Sequence, residues 1–271
     1  MSFSDEEVHE LRVAKRLLEN PGVAARMTNL IGTPIEKGLE LLPDNWNDSV
    51  QDVTQKVLLK AADAAIFTMD DIPGEESSEV WHKLTAAVSG GIGGFFGLAA
   101  VMAELPISTT IILRSIADIA RSEGESINSP ETKMACLEVF ALGGGSTSDD
   151  ATESGYFLVR SALAKSVADA TDYIVRQGVT QEAGPVLVKF IAKVAKYFGV
   201  QVTQKVAAQA IPAIGAAGGA IINTMFIDHF QDMARGHFIV RKLERKHGLK
   251  KVENLYKSLP ADAENETLED D

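Results

Sequence analysis

Residues 84–125 read LTAAVSGGIGGFFGLAAVMAELPISTTIILRSIADIARSEGE, and the fold class turns on how this stretch is read. Leu84 to Ala103 is a run of 20 residues without a charge, bounded by Lys83 and Glu104. As a helix it would be roughly 30 Å long, the thickness of a bilayer's hydrocarbon core. Gly90, Gly91, Gly93, Gly94 and Gly97 oppose a solvated helix by about 1 kcal/mol each relative to alanine. Their spacing offers a compensation. Gly90/Gly94 and Gly93/Gly97 are GxxxG pairs, which let a second helix approach backbone to backbone. Two readings stand side by side: a helix–helix seam in or on a membrane, and a tightly packed core helix of a soluble bundle.

Pro106 follows, and proline suits the first turn of a helix better than its interior. The pattern therefore predicts a break near Glu104 and a new helix from Pro106, with Ile111, Ile112, Leu113, Ile116 and Ile119 as its apolar set. Arg114, Asp118, Arg121 and Glu125 fall on one stripe of alternating sign. That stripe is either a solvated face or a polar seam against a partner.

A second uncharged run, Val206 to Ile227, spans 22 residues between Lys205 and Asp228. Gln209, Pro212 and Asn223 interrupt it, and Gly215, Gly218 and Gly219 give it the same small-residue character. The two runs predict a glycine-faced helical pair, with Gly90, Gly93, Gly94, Gly97, Gly215 and Gly219 as packing or membrane-facing positions. The polar residues and the proline make each run a poor transmembrane segment.

The remaining chain is helical in pattern. Ser4 caps a first helix with Asp5, Glu6 and Glu7 in its opening turn. Helices are expected over 24–31 and 35–41, and from Trp46 through Val50, Val53, Val57 and Ala61 to Ala65. Others start at Ser129-Pro130, cover Glu153 to Arg176, and run from Gly184-Pro185 to Phe198. With 271 residues, 45% apolar content and only 6% aromatic, the chain reads as an all-α single domain of nine to twelve helices. Residues 1–75 form an N-terminal helical segment on a core of 76–258. An acidic tail over 259–271 is expected to be disordered.

The net charge of −12 argues against non-specific nucleic-acid binding. One cysteine, Cys136, excludes an intrachain disulfide and reads as a core residue. The glycines at 143–145 are not followed by GK[ST], so no phosphate-binding loop is read there. The acidic start MSFSDEEVHE lacks a secretory signal, which predicts a cytoplasmic protein, peripheral at the inner face of the cell membrane if it meets one. Lys189, Lys193 and Lys196 form a basic stripe that suits either solvent or anionic lipid.

Polar residues cluster late in the chain. Asp228, Asp232 and Arg235 share one helical stripe, and His237, Arg241 and Glu244 share another. His229 and His237 are eight residues apart, off a common face and outside any HExxH pattern. No metal and no cofactor is expected. If the protein were an enzyme, Glu104, Asp118, His229 and His237 would be its acid–base groups. A ligand or partner would meet Arg114, Asp118, Tyr156, Arg160, His237 and Arg241.

Three stretches in order resemble the EcsC family. They are the glycine run continuing to SEGE, LEVFALGGGS followed by GYFLVR, and GGAIINTMFIDHFQDMARGHFIVRKLERKHG. The resemblance covers roughly residues 80–256. The matching positions are Glu104, Pro106, Arg114, Asp118, Tyr156, Arg160, His229, His237, Arg241 and Glu244. The family is named for a protein encoded beside an ABC transporter, so the resemblance implies a bacterial helical protein with a membrane or transporter connection. It brings no reaction and no catalytic residues with it. The leading expectation is a non-enzymatic protein that associates reversibly with a membrane surface or a membrane transporter. The alternative is a helical binding module for a lipid or other apolar acidic ligand, and the third is a hydrolase-like enzyme.

Overall fold

The computed structural model describes residues 2–19, 22–62, 98–144, 155–177, 184–211 and 215–260. Its helices are α1 (Asp5–Glu19), α2 (Val23–Ile31), α3 (Glu36–Leu39), α4 (Trp46–Ala61), α5 (Leu98–Ser122) and α6 (Pro130–Glu138). A 3-10 turn follows over Val139–Ala141. Then come α7 (Gly155–Gln177), α8 (Pro185–Ala210), α9 (Gly215–His247) and α10 (Leu249–Ser258). Among the described residues there are ten α-helices and no strand, as the all-α reading expected. Gly90, Gly93, Gly94, Gly97 and residues 261–271 of the acidic tail lie outside the described residues, while Leu259, at the start of that tail, is buried.

Local chemistry sets the helix starts. Ser4 and Glu7 form a reciprocal capping box. The Glu7 N–H donates to Ser4 Oγ at 3.2 Å, and the Ser4 N–H donates to Glu7 Oε2 at 2.8 Å. Ser129 Oγ accepts from the Thr132 N–H at 3.1 Å, with Pro130 as the first helical residue of α6.

Two sequence expectations are corrected. The first is the break at Pro106, because α5 runs unbroken through it. An interior proline costs about 3 kcal/mol. Leu105, Ile111, Ile112, Leu113 and Ile116 are all buried on that helix. Each contributes about 1.5–3 kcal/mol relative to exposure, so burial outweighs the proline. The second concerns α8, which continues past Phe198 to Ala210 and takes in the start of the second uncharged run. It stops because Ile211 precedes Pro212. The proline ring disfavours helical backbone at the preceding residue, and Ile211 is extended at φ −71°, ψ 117°. The second run is therefore shared between α8 and α9.

The two longest helices, α8 and α9, carry the rest. α2, α3, α4, α6 and α7 pack on α8, while α1, α5 and α10 pack on α9. Phe140, Phe198, Phe226 and Phe230 join these layers, with ring centroids 4.9 Å apart for Phe140/Phe198 and 5.1 Å for Phe226/Phe230. α1 is held by charge as well. Lys15 Nζ donates to the carbonyls of Tyr256 and Leu259 at 3.0 and 2.7 Å, which caps the end of α10. Glu7 meets Lys246 at 2.6 Å, and Glu10 meets Lys242 at 2.9 Å.

α3 is a single turn, and it sits on α8 through Gly38. A Cβ on Gly38 would lie 2.0 Å from the Ala207 carbonyl oxygen, where only backbone could yield. Gly38→Ala is expected to destabilise the protein by about 1–3 kcal/mol, the usual range for overpacking, read as a lower urea midpoint.

Candidate functional site

α6 has no solvent face: every residue from Thr132 to Glu138 is buried. It therefore carries Glu138 into the protein, and a polar cluster forms around that carboxyl. α9 supplies His237, Arg241 and Glu244 from one stripe. α7 supplies Tyr156 and Arg160, one turn apart. The segment between α5 and α6 supplies Glu125.

The contacts within the cluster are specific. Tyr156 Oη and His237 Nδ1 share a hydrogen bond of 3.0 Å. Arg160 grips Glu244 with two bonds of 2.8 and 3.0 Å and lies over the Tyr156 ring at 5.3 Å. Arg241 Nε donates to Glu125 Oε1 at 2.9 Å. Arg245 bonds the same carboxylate oxygen, and Thr132 Oγ1 donates to its other oxygen at 3.0 Å. His237 Nε2 is buried without a hydrogen-bond partner, and Glu138 Oε2 lies 4.0 Å from it, too far for a direct bond.

Electrostatics set the protonation of this cluster. Burial pushes the Glu138 carboxyl up to about 7, with Arg160 and Arg241 pulling it down and Glu244 pushing it up. Burial, and then the charges of Arg160 and Arg241, hold His237 well below the usual imidazole value. His237 is therefore neutral, and the Glu138 carboxyl exchanges its proton near neutrality. Burial would raise Glu125, but its bond and charge contact with Arg241 and its bond with Thr132 keep it below the usual carboxylate value. Burial pushes the Cys136 thiol up to about 12, so it is inert as a nucleophile.

A second polar centre lies elsewhere. Lys205 Nζ donates to both oxygens of Glu104 at 2.9 Å and to Asn223 Oδ1 at 2.7 Å, and it sits 4.8 Å above the Phe226 ring. Lys205 is 1% exposed and Glu104 16%. Burial lowers the Lys205 pKa and the Glu104 charge opposes that effect.

His229 belongs to neither centre. It packs beneath Gly143, whose φ is 75°. A Cβ there would fall 2.5 Å from His229 Cε1 and Nε2. Burial, then Arg26, lowers the His229 pKa to about 3, and its Nε2 has no partner. Asp118 pairs with Arg121 at 2.6 Å on the surface.

Of the residues singled out by sequence, Tyr156, Arg160, His237, Arg241 and Glu244 are brought together. Glu104, Asp118, His229 and His237 are not: among the described residues they share no hydrogen bond or ion pair. Arg114 lies half-buried on α5, outside the cluster. A Cβ at Gly219 would meet nothing within 4 Å, so that position does not seat a described helix of this chain. Gly215 is the first residue of α9. Sequence reasoning passed over Glu138, Asn223 and the role of Lys205. An acid at the end of the apolar run Met134 to Leu137, and a lysine at the edge of an uncharged run, were the available signals.

Arg160 and Arg241 already hold carboxylates, so neither is free to receive an acidic ligand without displacing one. Among the described residues, no three His, Cys, Asp or Glu side chains gather as a metal site. Among the same residues, no helix is long and apolar enough to cross a membrane.

A family model described as the EcsC protein family matches residues 5–243, which takes in α1 to α4 as well as the region from residue 80 to residue 243. No curated protein and no solved structure matches the chain.

Proposed function

The chain belongs to the EcsC family, and on that footing we propose that it is a non-enzymatic helical protein that lays one end of its bundle on a lipid bilayer. The observation that carries this is the Lys205–Glu104 pair. Glu104 is the charge that closes the first uncharged run, and Lys205 is the charge that opens the second. Their bonds of 2.9 Å bring the edges of both runs to one place and neutralise them there. Neither of the two charges that border the runs is then left unpaired, which is what placing them near hydrocarbon requires.

Exposed apolar side chains at the same end add support. Gly38 seats α3 on Ala207, two residues beyond Lys205, and α3 leads to Leu39 and Leu41, which are 39% and 58% exposed. Ile221, two residues before Asn223, is 48% exposed.

Flotation with phosphatidylcholine vesicles tests the reading. The protein is expected to float and to stay bound at high salt, because apolar insertion is not screened, whereas contact through Lys189, Lys193 and Lys196 would be. Gly219→Glu puts a charge into the second run at a position with open space, so the fold should hold. A charge in a bilayer contact costs about 2–3 kcal/mol, so the variant should bind at least roughly tenfold more weakly. Wild-type protein that stays unbound to every vesicle overturns the proposal, as does a folded Gly219→Glu variant that floats as wild type does.

A further inference from the structure

The ammonium of Lys205 uses all of its donors. Two point to Glu104 and one to Asn223, and the Phe226 ring face closes a further side. The two partners of the ion pair differ in access. Lys205 is almost fully enclosed, held by its own α8 and by Asn223 and Phe226 of α9. Glu104, from α5, keeps the outward position. The cation is therefore fixed in place, while the anion opposite it sits at the solvent edge. Two carboxylate oxygens at equal distance from one ammonium occupy the places that two oxygens of a phosphate would take.

We propose that Lys205, Asn223 and the face of Phe226 form a binding site for the phosphate of an anionic phospholipid headgroup, and that Glu104 occupies it in the absence of lipid. The inference rests on the reading that this end of the bundle meets a bilayer. If Glu104 turns outward, a buried lysine remains whose charge needs an anion. At an anionic membrane the nearest anions are headgroup phosphates. The exchange replaces one charged partner of Lys205 with another, forms no covalent bond, and leaves the Glu104 carboxylate to be solvated by headgroup water. Asn223 donates through its amide Nδ2 once a phosphate oxygen takes the place of a carboxylate oxygen. The Phe226 ring holds the ammonium from behind throughout. A soluble phosphate compound presents the same oxygens, so the two sources have to be separated by experiment.

The experiment compares binding of the full chain to phosphatidylcholine vesicles with and without phosphatidylglycerol, at high salt so that surface lysines are screened. Wild-type protein is expected to prefer the phosphatidylglycerol vesicles. Glu104→Gln removes the competing carboxylate and should increase that preference roughly tenfold, a gain that a further Lys205→Met change abolishes. Asn223→Asp gives Lys205 a second permanent anion and should erase the preference. It also decides the matter if thermal melting shows Glu104→Gln unfolded. Wild-type flotation on both vesicles with no preference in any variant overturns the headgroup site and leaves the bilayer reading in place. No flotation at all overturns both. A Lys205-dependent rise in melting temperature with inorganic phosphate, without a preference among vesicles, overturns the lipid source.

Discussion

Glutamine in place of Glu138 is expected to stabilise the folded protein above about pH 7 and to change little near pH 4. The carboxyl ionises at 4.5 when exposed and at about 7 in the fold, because burial opposes its charge. Between those values the folded state holds a proton that the unfolded state has released, so stability falls as pH rises through the window. Above it the loss is complete, at about 3 kcal/mol. Glu138→Gln carries no such proton and removes this loss. The two buried histidines act in the other direction. His229 is lowered from 6.5 to about 3 and His237 is lowered well below 6.5, so both stay neutral in the fold while the unfolded chain takes up protons. Their contribution is present above about pH 6.5 and is lost as pH falls below it. Urea denaturation of wild type across pH should therefore show stability rising through the acid range and levelling off near about pH 7. The gain of Glu138→Gln over wild type should grow from near zero at about pH 4 to about 3 kcal/mol above about pH 7. A gain that does not change with pH would mean that Glu138 does not titrate in this window.

Arg160→Ala is expected to cost about 3–5 kcal/mol, the range for removing one partner of a buried ion pair. The loss is more than two hydrogen bonds. Glu244 loses its partner in a site where its side chain is only 11% exposed, and Glu138 loses one of the two guanidiniums that favour its ionised form. The contact of the guanidinium with the Tyr156 and Phe157 rings also goes. Arg160→Lys retains the charge but cannot make the two-pronged bond, so it should recover only part of the loss. Arg160→Met with Glu244→Leu removes both charges at similar volume and should be far milder than either single truncation. A paired loss equal to the sum of the two single losses would mean that the pair does not couple in the folded protein.

The fold class was open to reading because helical spacing and caps are local. Ser4 with Glu7 and Ser129 with Pro130 announce their helices within four residues. Pro106 misled because its effect depends on what its neighbours bury, and Leu105 and Ile112 are core residues only by virtue of helices far away in sequence. Two glycines that admit close neighbours, Gly38 against Ala207 and Gly236 against Leu18 and Ala14, belong to no GxxxG pair. Gly219, which has small-residue neighbours, faces open space. The stripe of His237, Arg241 and Glu244 was legible as a unit, and Tyr156 and Arg160 were legible as neighbours. That the two units meet over Glu138 depends on α6 being buried on every side, and no periodicity records that.

α1 also bears on how the chain is made. Its lysine caps a helix 241 residues further on, and Glu10 pairs with a lysine 232 residues away. At synthesis rates of about 5–20 residues per second, the first helix leaves the ribosome roughly ten to fifty seconds before its partner exists. Its apolar face, built on Leu11, Ala14 and Leu18, lacks its main partner, α9, during that interval. The docking of α1 is thus a closing step of folding, and a nascent chain stalled before α9 would display a sticky amphipathic helix to chaperones.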